Sequence, residues 1–305
     1  MTWEVMVVAL TVGYTAGRKE GHPMSSQAFV STAHPFGALL RQWRTARKMS
    51  QFALALEADI SARHLSFLET GRAQPSRDMV LLLATSLDVP LRERNRWLLV
   101  AGYAPIYRET NLTAPAMRPA QQALEFVLQQ QEPYPALVMD RQWNLLRSNQ
   151  GANRVFRLFL DPAYLQATSP PNIMRLTFDP HGLRPCMVNW DEVAGHMLHL
   201  LHREAVLGIP DEATSHLLDT VLAFPGVPAR VPVSAPATAL APLLFLELRK
   251  DDLTVKFFST IATLGTPQDI TLQELRIECF FPGDAATEAL MRRLAAASSP
   301  PVFRP

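Results

Sequence analysis

Ser50 to Thr70, SQFALALEADISARHLSFLET, holds two short helical patterns separated by a few turn residues. Ser50 precedes the apolar positions Phe52, Ala53 and Leu56, and a hydroxyl there accepts a backbone N–H and starts a helix. Ser61 repeats the device ahead of Leu65 and Leu68, which share a face at i, i+3. Ala58-Asp59-Ile60 leaves room only for a turn. Helices joined this tightly cross steeply, so that one can lie across a DNA backbone while the other enters the major groove.

The flanks extend the pattern. Phe36 to Lys48 reads as an amphipathic helix with Leu39, Leu40, Trp43 and Ala46 on one side and Arg41, Arg44, Arg47 and Lys48 on the other. Gly71 ends the second helix of the motif. Pro75-Ser76 opens a helix from Asp78 to Leu87, and Pro90 opens the next, to about Gly102. This run of five short helices resembles the phage-repressor-like (Cro/repressor, XRE) helix-turn-helix family. Ser50-Gln51, Ile60-Ser61, Leu65/Leu68, Glu69-Thr70-Gly71-Arg72 and Pro75-Ser76 stand where its pattern has them.

Geometry then nominates DNA contacts. The N-terminal residues of a recognition helix face base edges; here these are Ser61, Ala62, Arg63 and His64, with Ser66 and Phe67 one turn on. Arg63 is the strongest direct reader, because a guanidinium bonds bidentately to guanine, and Phe67 suits a thymine methyl. The resemblance implies a backbone or base contact for Gln51. Arg44, Arg47, Lys48 and Arg72 are expected as phosphate anchors. The plainer alternative for any of these arginines is a solvated helix face, and Leu65 and Leu68 are core. One recognition helix reads few bases, so a homodimer on a two-fold double-stranded DNA operator is expected.

Charge is distributed accordingly. The chain of 305 residues carries a net +1, with 48% hydrophobic and 19% charged residues, which calls for a folded core rather than disorder. Pro35 to Gly102 holds ten Lys/Arg against six Asp/Glu, whereas everything after it holds 17 against 20. A basic module joined to a mildly acidic one fits a DNA reader attached to a sensor. Cys186 and Cys279 lie far apart with no metal-ligand spacing and read as reduced thiols of a cytoplasmic protein.

The expected division is a disordered or mis-annotated N-terminal extension over 1–34, with Met24 as an alternative start. A helix-turn-helix domain over 35–103, a linker over 104–120, a second domain over 121–298 and a tail over 299–305 follow. Met6 to Val12 is apolar but too short to span a bilayer and a poor signal peptide, so no membrane association is expected. In the second domain, Gln121 to Gln130 reads as a helix. ALVMD and WNLLRSN around Arg141-Gln142 read as a strand hairpin. Helices follow from Asn149, over Asn172 to Phe178, Asp191 to Leu207 and Glu212 to Phe224. A proline-rich loop runs to Pro242, and strands are expected over Leu243–Arg249, Thr254–Thr263 and Gln273–Phe281. Asp284 caps a terminal helix. The fold class is α+β: five helices, then a PAS-like antiparallel sheet of about five strands with helices on one face.

Several stretches carry a second resemblance: Glu132 to Ala136 (EPYPA), Asp140 to Asn144 (DRQWN), Asn172 to Leu176 (NIMRL), Phe257 to Pro267 (FFSTIATLGTP) and Leu272 to Asp284 (LQELRIECFFPGD). With His64 to Arg72 and Arg92 to Pro105 they look like the MmyB-like transcription regulators. That resemblance implies a DNA-binding regulator whose PAS-like domain holds a small apolar ligand, with a long-chain fatty acid as the ligand class. Leu137, Met139, Trp143, Leu145, Phe245, Phe257 and Ile261 offer apolar walls, and Met174 and Met197, with Met139, adaptable ones; a filled core is the plainer alternative for each. Arg175, His196 and Asn149 are candidates for a head group.

His196, His199 and His202 recur on one helix with Glu192 ahead of them, a donor set that suits zinc, but the spacing matches no zinc motif and the residues read as structural. No phosphate loop, nucleophile elbow, HExxH or paired-carboxylate motif is present, so no enzyme activity, catalytic residue, metal or cofactor is expected beyond a bound fatty acid as ligand. The competing functional class is an antitoxin-like scaffold whose C-terminal domain binds another protein.

Overall fold

The computed structural model describes residues 35–207, 212–228 and 243–297. The expectations for 1–34, for most of the proline-rich loop and for the tail fall outside these residues. The N-terminal part consists of α1 (Pro35–Ala46), α2 (Gln51–Glu57), α3 (Ala62–Glu69), α4 (Arg77–Ser86) and α5 (Leu91–Val100). Serine hydroxyls start three of them: Ser50 accepts from the Ala53 N–H at 3.0 Å, Ser61 from His64 at 3.1 Å, and Ser76 from Met79 at 3.2 Å. Between α2 and α3 the turn closes with Asp59 at φ 51°, a left-handed conformation that a short polar side chain tolerates.

The apolar faces of these helices close on one another. Phe36, Leu40, Leu54, Leu65, Leu68, Leu83, Trp97 and Leu98 are buried, and Trp97 receives Phe36 and Trp43 edge-on at 5.7 and 6.4 Å. Gly37 lets α1 cross the end of α3 at backbone contact. A Cβ at that position would lie 2.5 Å from the Glu69 carbonyl oxygen.

The C-terminal part runs α6 (Arg118–Gln130), β1 (Ala136–Met139), β2 (Leu145–Ser148), α7 (Gln150–Phe159), α8 (Pro162–Ala167), α9 (Ile173–Phe178) and α10 (Trp190–His202). After a π-helical turn over Arg203–Leu207 come α11 (Glu212–Leu222), β3 (Leu246–Lys250), β4 (Leu253–Ala262), α12 (Ile270–Glu274), β5 (Arg276–Pro282) and α13 (Ala285–Ala296). The five strands form one antiparallel sheet in the order β2-β1-β5-β4-β3. The α+β class stands.

Three details differ from the expectation. Gln273 and Glu274 belong to α12, not to a strand, because Asp269 caps Thr271 at 2.9 Å and turns the chain helical. Leu243 to Phe245 lie ahead of β3. And the sheet is covered on both faces: Ala136, Val138 and Ile277 pack with Leu124 and Leu128 of α6 on one side. The other side carries Leu137, Met139, Leu248, Val255 and Phe257 against α7, α9, α10, α11 and α13.

The repeated polar motifs brace this sheet. Asn149 accepts from the Ala136 and Ala152 N–H groups, both at 2.9 Å, and donates to the Leu128 and Tyr134 carbonyls. It joins α6, β1 and α7 at one point and is itself buried. Asp140 accepts from the N–H groups of Gln142 and Asn144, folding the turn that sends Trp143, at φ 65°, back under the sheet.

Candidate functional site

The first candidate surface is the outer face of α3. Ser61 is engaged as its cap, and Ala62 and Arg63 are exposed in the first turn, with His64, Ser66 and Phe67 half-buried behind them. The Arg63 guanidinium lies 5.3 Å over the Phe67 ring and has no hydrogen-bonding partner among the described residues. That leaves its fork of donors directed outward. Lys48 and Arg72 are at the surface, Lys48 ending α1 in a left-handed conformation at φ 56°.

Three expected contacts are placed otherwise. Arg44 is turned inward: its Nε and Nη2 donate to both carboxylate oxygens of Glu69 at 2.6 and 3.1 Å, and Nη1 to the Met49 carbonyl. Glu69 is buried, and Arg44 is the counter-ion that neutralises it. Gln51 donates to the same carboxylate at 2.8 Å. Arg47 caps the end of α4 by donating to the Leu87 and Asp88 carbonyls, which satisfies acceptors the helix leaves open. The sequence marked these three as polar and near the motif; only the fold reveals that a buried carboxylate and a helix end claim them.

The second candidate is a cavity of about 430 Å³ between the sheet and α7, α9 and α10. That lies within the size range of small-molecule sites. Leu137, Trp143, Met197, Phe245, Phe257 and Ile261 line it as expected candidates. Met139, Leu145 and Met174 do not; they are buried in the surrounding core, where the tight packing behind the wall takes them. Of the head-group candidates, His196 lines the cavity, Arg175 lines a separate polar cleft with Tyr164 and His216, and Asn149 is the structural brace described above. Among the described residues no three His, Cys, Asp or Glu side chains are gathered to hold a metal ion, and no helix is long and apolar enough to cross a membrane.

The cavity's polar groups are few: Thr177, His196, Ser259 and Glu278. Ser259 and Glu278 escaped the sequence reading. The signal was there, since β5 alternates Arg276, Glu278, Phe280 on one face, and pairing sets Glu278 beside Leu137 and Ile261. Burial pushes the Glu278 carboxyl above the usual range, with the Ser259 hydrogen bond and Arg276 opposing it. Burial lowers the His196 imidazole below its ordinary value, helped by His199 and Arg203. At one end of the wall Glu204 accepts from the Trp143 indole at 3.0 Å and from Arg276 at 2.7 Å, and Arg276 stacks over the Trp143 ring at 4.7 Å.

The strand that carries Glu278 is tied to the helical part. Pro90 offers α5 no side-chain cap, and Gln273 of α12 supplies one, accepting from the Leu91 N–H at 2.6 Å. Arg92 donates twice to Glu274 at 2.7 and 2.9 Å and also pairs with Glu109, which holds the guanidinium charged and pulls the Glu109 carboxyl down. Arg141, next to the Trp143 turn, stands 3.6 Å from Glu274. One short helix thus touches α5 on one side and leads directly into the cavity wall on the other.

A family model described as MmyB-like transcription regulator ligand binding domain matches residues 120–294, and a helix-turn-helix domain model matches residues 35–97. No curated protein matches the chain. A solved structure described as an RNA-binding Light-Oxygen-Voltage receptor is similar over 91% of this chain and 70% of its own, at 11% identity and a TM-score of 0.26, a likeness that carries no argument.

Proposed function

The chain belongs to the MmyB-like transcription regulator ligand-binding domain family with a helix-turn-helix domain ahead of it, and from that premise we propose a cytoplasmic regulator that binds an operator as a homodimer and answers to an apolar ligand held in the 430 Å³ cavity. The observation that carries the DNA half is the free guanidinium of Arg63 on the exposed first turn of α3. It is the group that a guanine edge would engage, with Ala62, Ser66 and Phe67 beside it and Lys48 and Arg72 toward the phosphates. For the sensor half, the cavity's apolar walls suit a hydrocarbon body, and a long-chain fatty acid is the ligand class that the family resemblance implies.

Ligand occupancy would reach the DNA through α12. Trp143, Arg276 and Glu278 belong to the cavity region, while Gln273 and Glu274, just ahead on the chain, hold the first turn of α5. A shift of β5 therefore biases the helix that closes the core behind α3. Binding-site selection from random duplexes tests the DNA half. Arg63→Ala is expected to lower affinity for the selected duplex by about 1–3 kcal/mol and to relax preference at one base step. Unaltered preference would overturn its role.

A further inference from the structure

The polar equipment of the cavity is acidic. Among the described residues its ionisable lining consists of Glu278 and His196, and no lysine or arginine lines it. The arginine nearest in register, Arg276, belongs to the same face of β5, but Glu204 and the Trp143 ring hold its guanidinium. Glu278 is flanked across the sheet by Leu137 and Ile261, with Ser259 two residues before Ile261 on the same face of β4. Of the cavity's polar groups Ser259 and His196 are exposed, Glu278 is half-buried and Thr177 buried.

We propose that Glu278, with Ser259 beside it on the cavity wall, reads the polar end of the ligand, and that this end is a hydrogen-bond donor without negative charge, such as a hydroxyl, an amide or a protonated carboxyl. The proposal rests on the cavity being the ligand site. An alkyl carboxylate anion entering it meets a second carboxyl and, among the described residues, no lining cation, and like charges in a poorly hydrated site repel strongly. A hydroxyl or amide N–H instead gives Glu278 a partner, which a polar group in such a site requires. A fatty acid is then accepted in its neutral form, and a fatty alcohol of the same length is the better ligand near neutral pH. Three walls supply the selectivity: β5 the carboxyl, β4 the serine beside it, and the apolar helices the tail's environment.

The test is calorimetric titration of the full-length, delipidated protein at pH 8 with dodecanol and with dodecanoate, repeated on Glu278→Gln. Glutamine keeps the size and hydrogen-bonding of a neutral carboxyl and removes its charge. The wild type is expected to bind dodecanol more tightly by about tenfold or more, the scale of one like-charge contact in a partly hydrated site. Glu278→Gln is expected to raise dodecanoate affinity and narrow that gap several-fold. Dodecanoate binding as tightly as dodecanol to the wild type would overturn the proposal while leaving the cavity as the ligand site. An unchanged gap in a folded Glu278→Gln would overturn the role of that residue. Binding of neither probe would overturn the cavity reading and the proposal together. Should the variant not fold, the wild-type ranking decides alone.

Discussion

Glu69, buried in the helical part, and Glu278, half-buried in the sheet part, are two carboxyls that the fold treats in opposite ways. In the helical part Glu69 lies beneath α1 and α2, where Arg44 grips both its oxygens and Gln51 adds a third donor. In the sheet part Glu278 has Ser259 beside it on β4, and the arginine on its own face donates to Glu204. The cores around them differ in the same sense. Leu40, Leu54, Leu65 and Leu83 are shut off completely, whereas the side chains beneath the sheet enclose a cavity of about 430 Å³. Protein interiors are ordinarily close-packed, so an opening of this size is something the fold maintains. A neutralised carboxylate in a solid core serves the frame; a carboxyl without an ion-pair partner beside a hollow one is the group we propose for recognition.

The sharpest way to break this comparison is to remove the two carboxylates. Glu69→Ala strands Arg44 inside the helical core and is expected to cost about 3–5 kcal/mol in denaturant unfolding. Glu278→Gln is expected to leave stability unchanged or raise it, since a carboxyl whose charged form desolvation disfavours is replaced by a neutral group. Similar losses at both sites would contradict the contrast. Truncation of apolar side chains comes next. Leu65→Ala should cost about 2–5 kcal/mol, and Leu246→Ala, on the cavity wall, clearly less, because an atom facing a void has no contacts on that side to lose.

Gln273→Ala removes the cap that the sheet part lends to α5, for an expected loss of about 0.5–2 kcal/mol, and its more telling readout is a weakened effect of ligand on DNA affinity. The smallest effect is on pH dependence. A carboxyl whose folded pKa is raised binds its proton more tightly when folded, so its contribution falls as pH rises through the range above the ordinary carboxylate value. A stability–pH curve of Glu278→Gln should lack that part of the decline. Glu93, raised by burial as well, keeps its own share in both proteins.

The helical part was legible almost residue by residue, because its signals are local: a serine cap, an i, i+3 apolar pair and a turn of three residues all lie within one short stretch. The sheet was legible as well, strand by strand, apart from α12, the later start of β3 and the second covered face. The last residues of α12, Gln273 and Glu274, precede an alternating run and share its composition, and only the Asp269 cap decides the difference. What the sequence could not disclose were relations between distant segments. Arg44 was visible as a cation near a DNA-binding motif, but its partner Glu69 is 25 residues away. Met139 and Met174 share the apolar character of the cavity wall, yet packing behind that wall takes them. Gln273 and Leu91 are 182 residues apart, and nothing in either stretch announces the other. Apolar periodicity identifies what is buried; whether the space between buried faces is filled depends on how the elements meet.

The measurement that tests the account most directly is fluorescence anisotropy of a selected operator duplex titrated with delipidated full-length protein, with and without saturating dodecanol. A ligand-coupled reader is expected to change its duplex affinity several-fold when the cavity is occupied, and to lose most of that change in Gln273→Ala. An affinity that stays the same while calorimetry shows dodecanol bound would contradict the coupling of cavity to DNA.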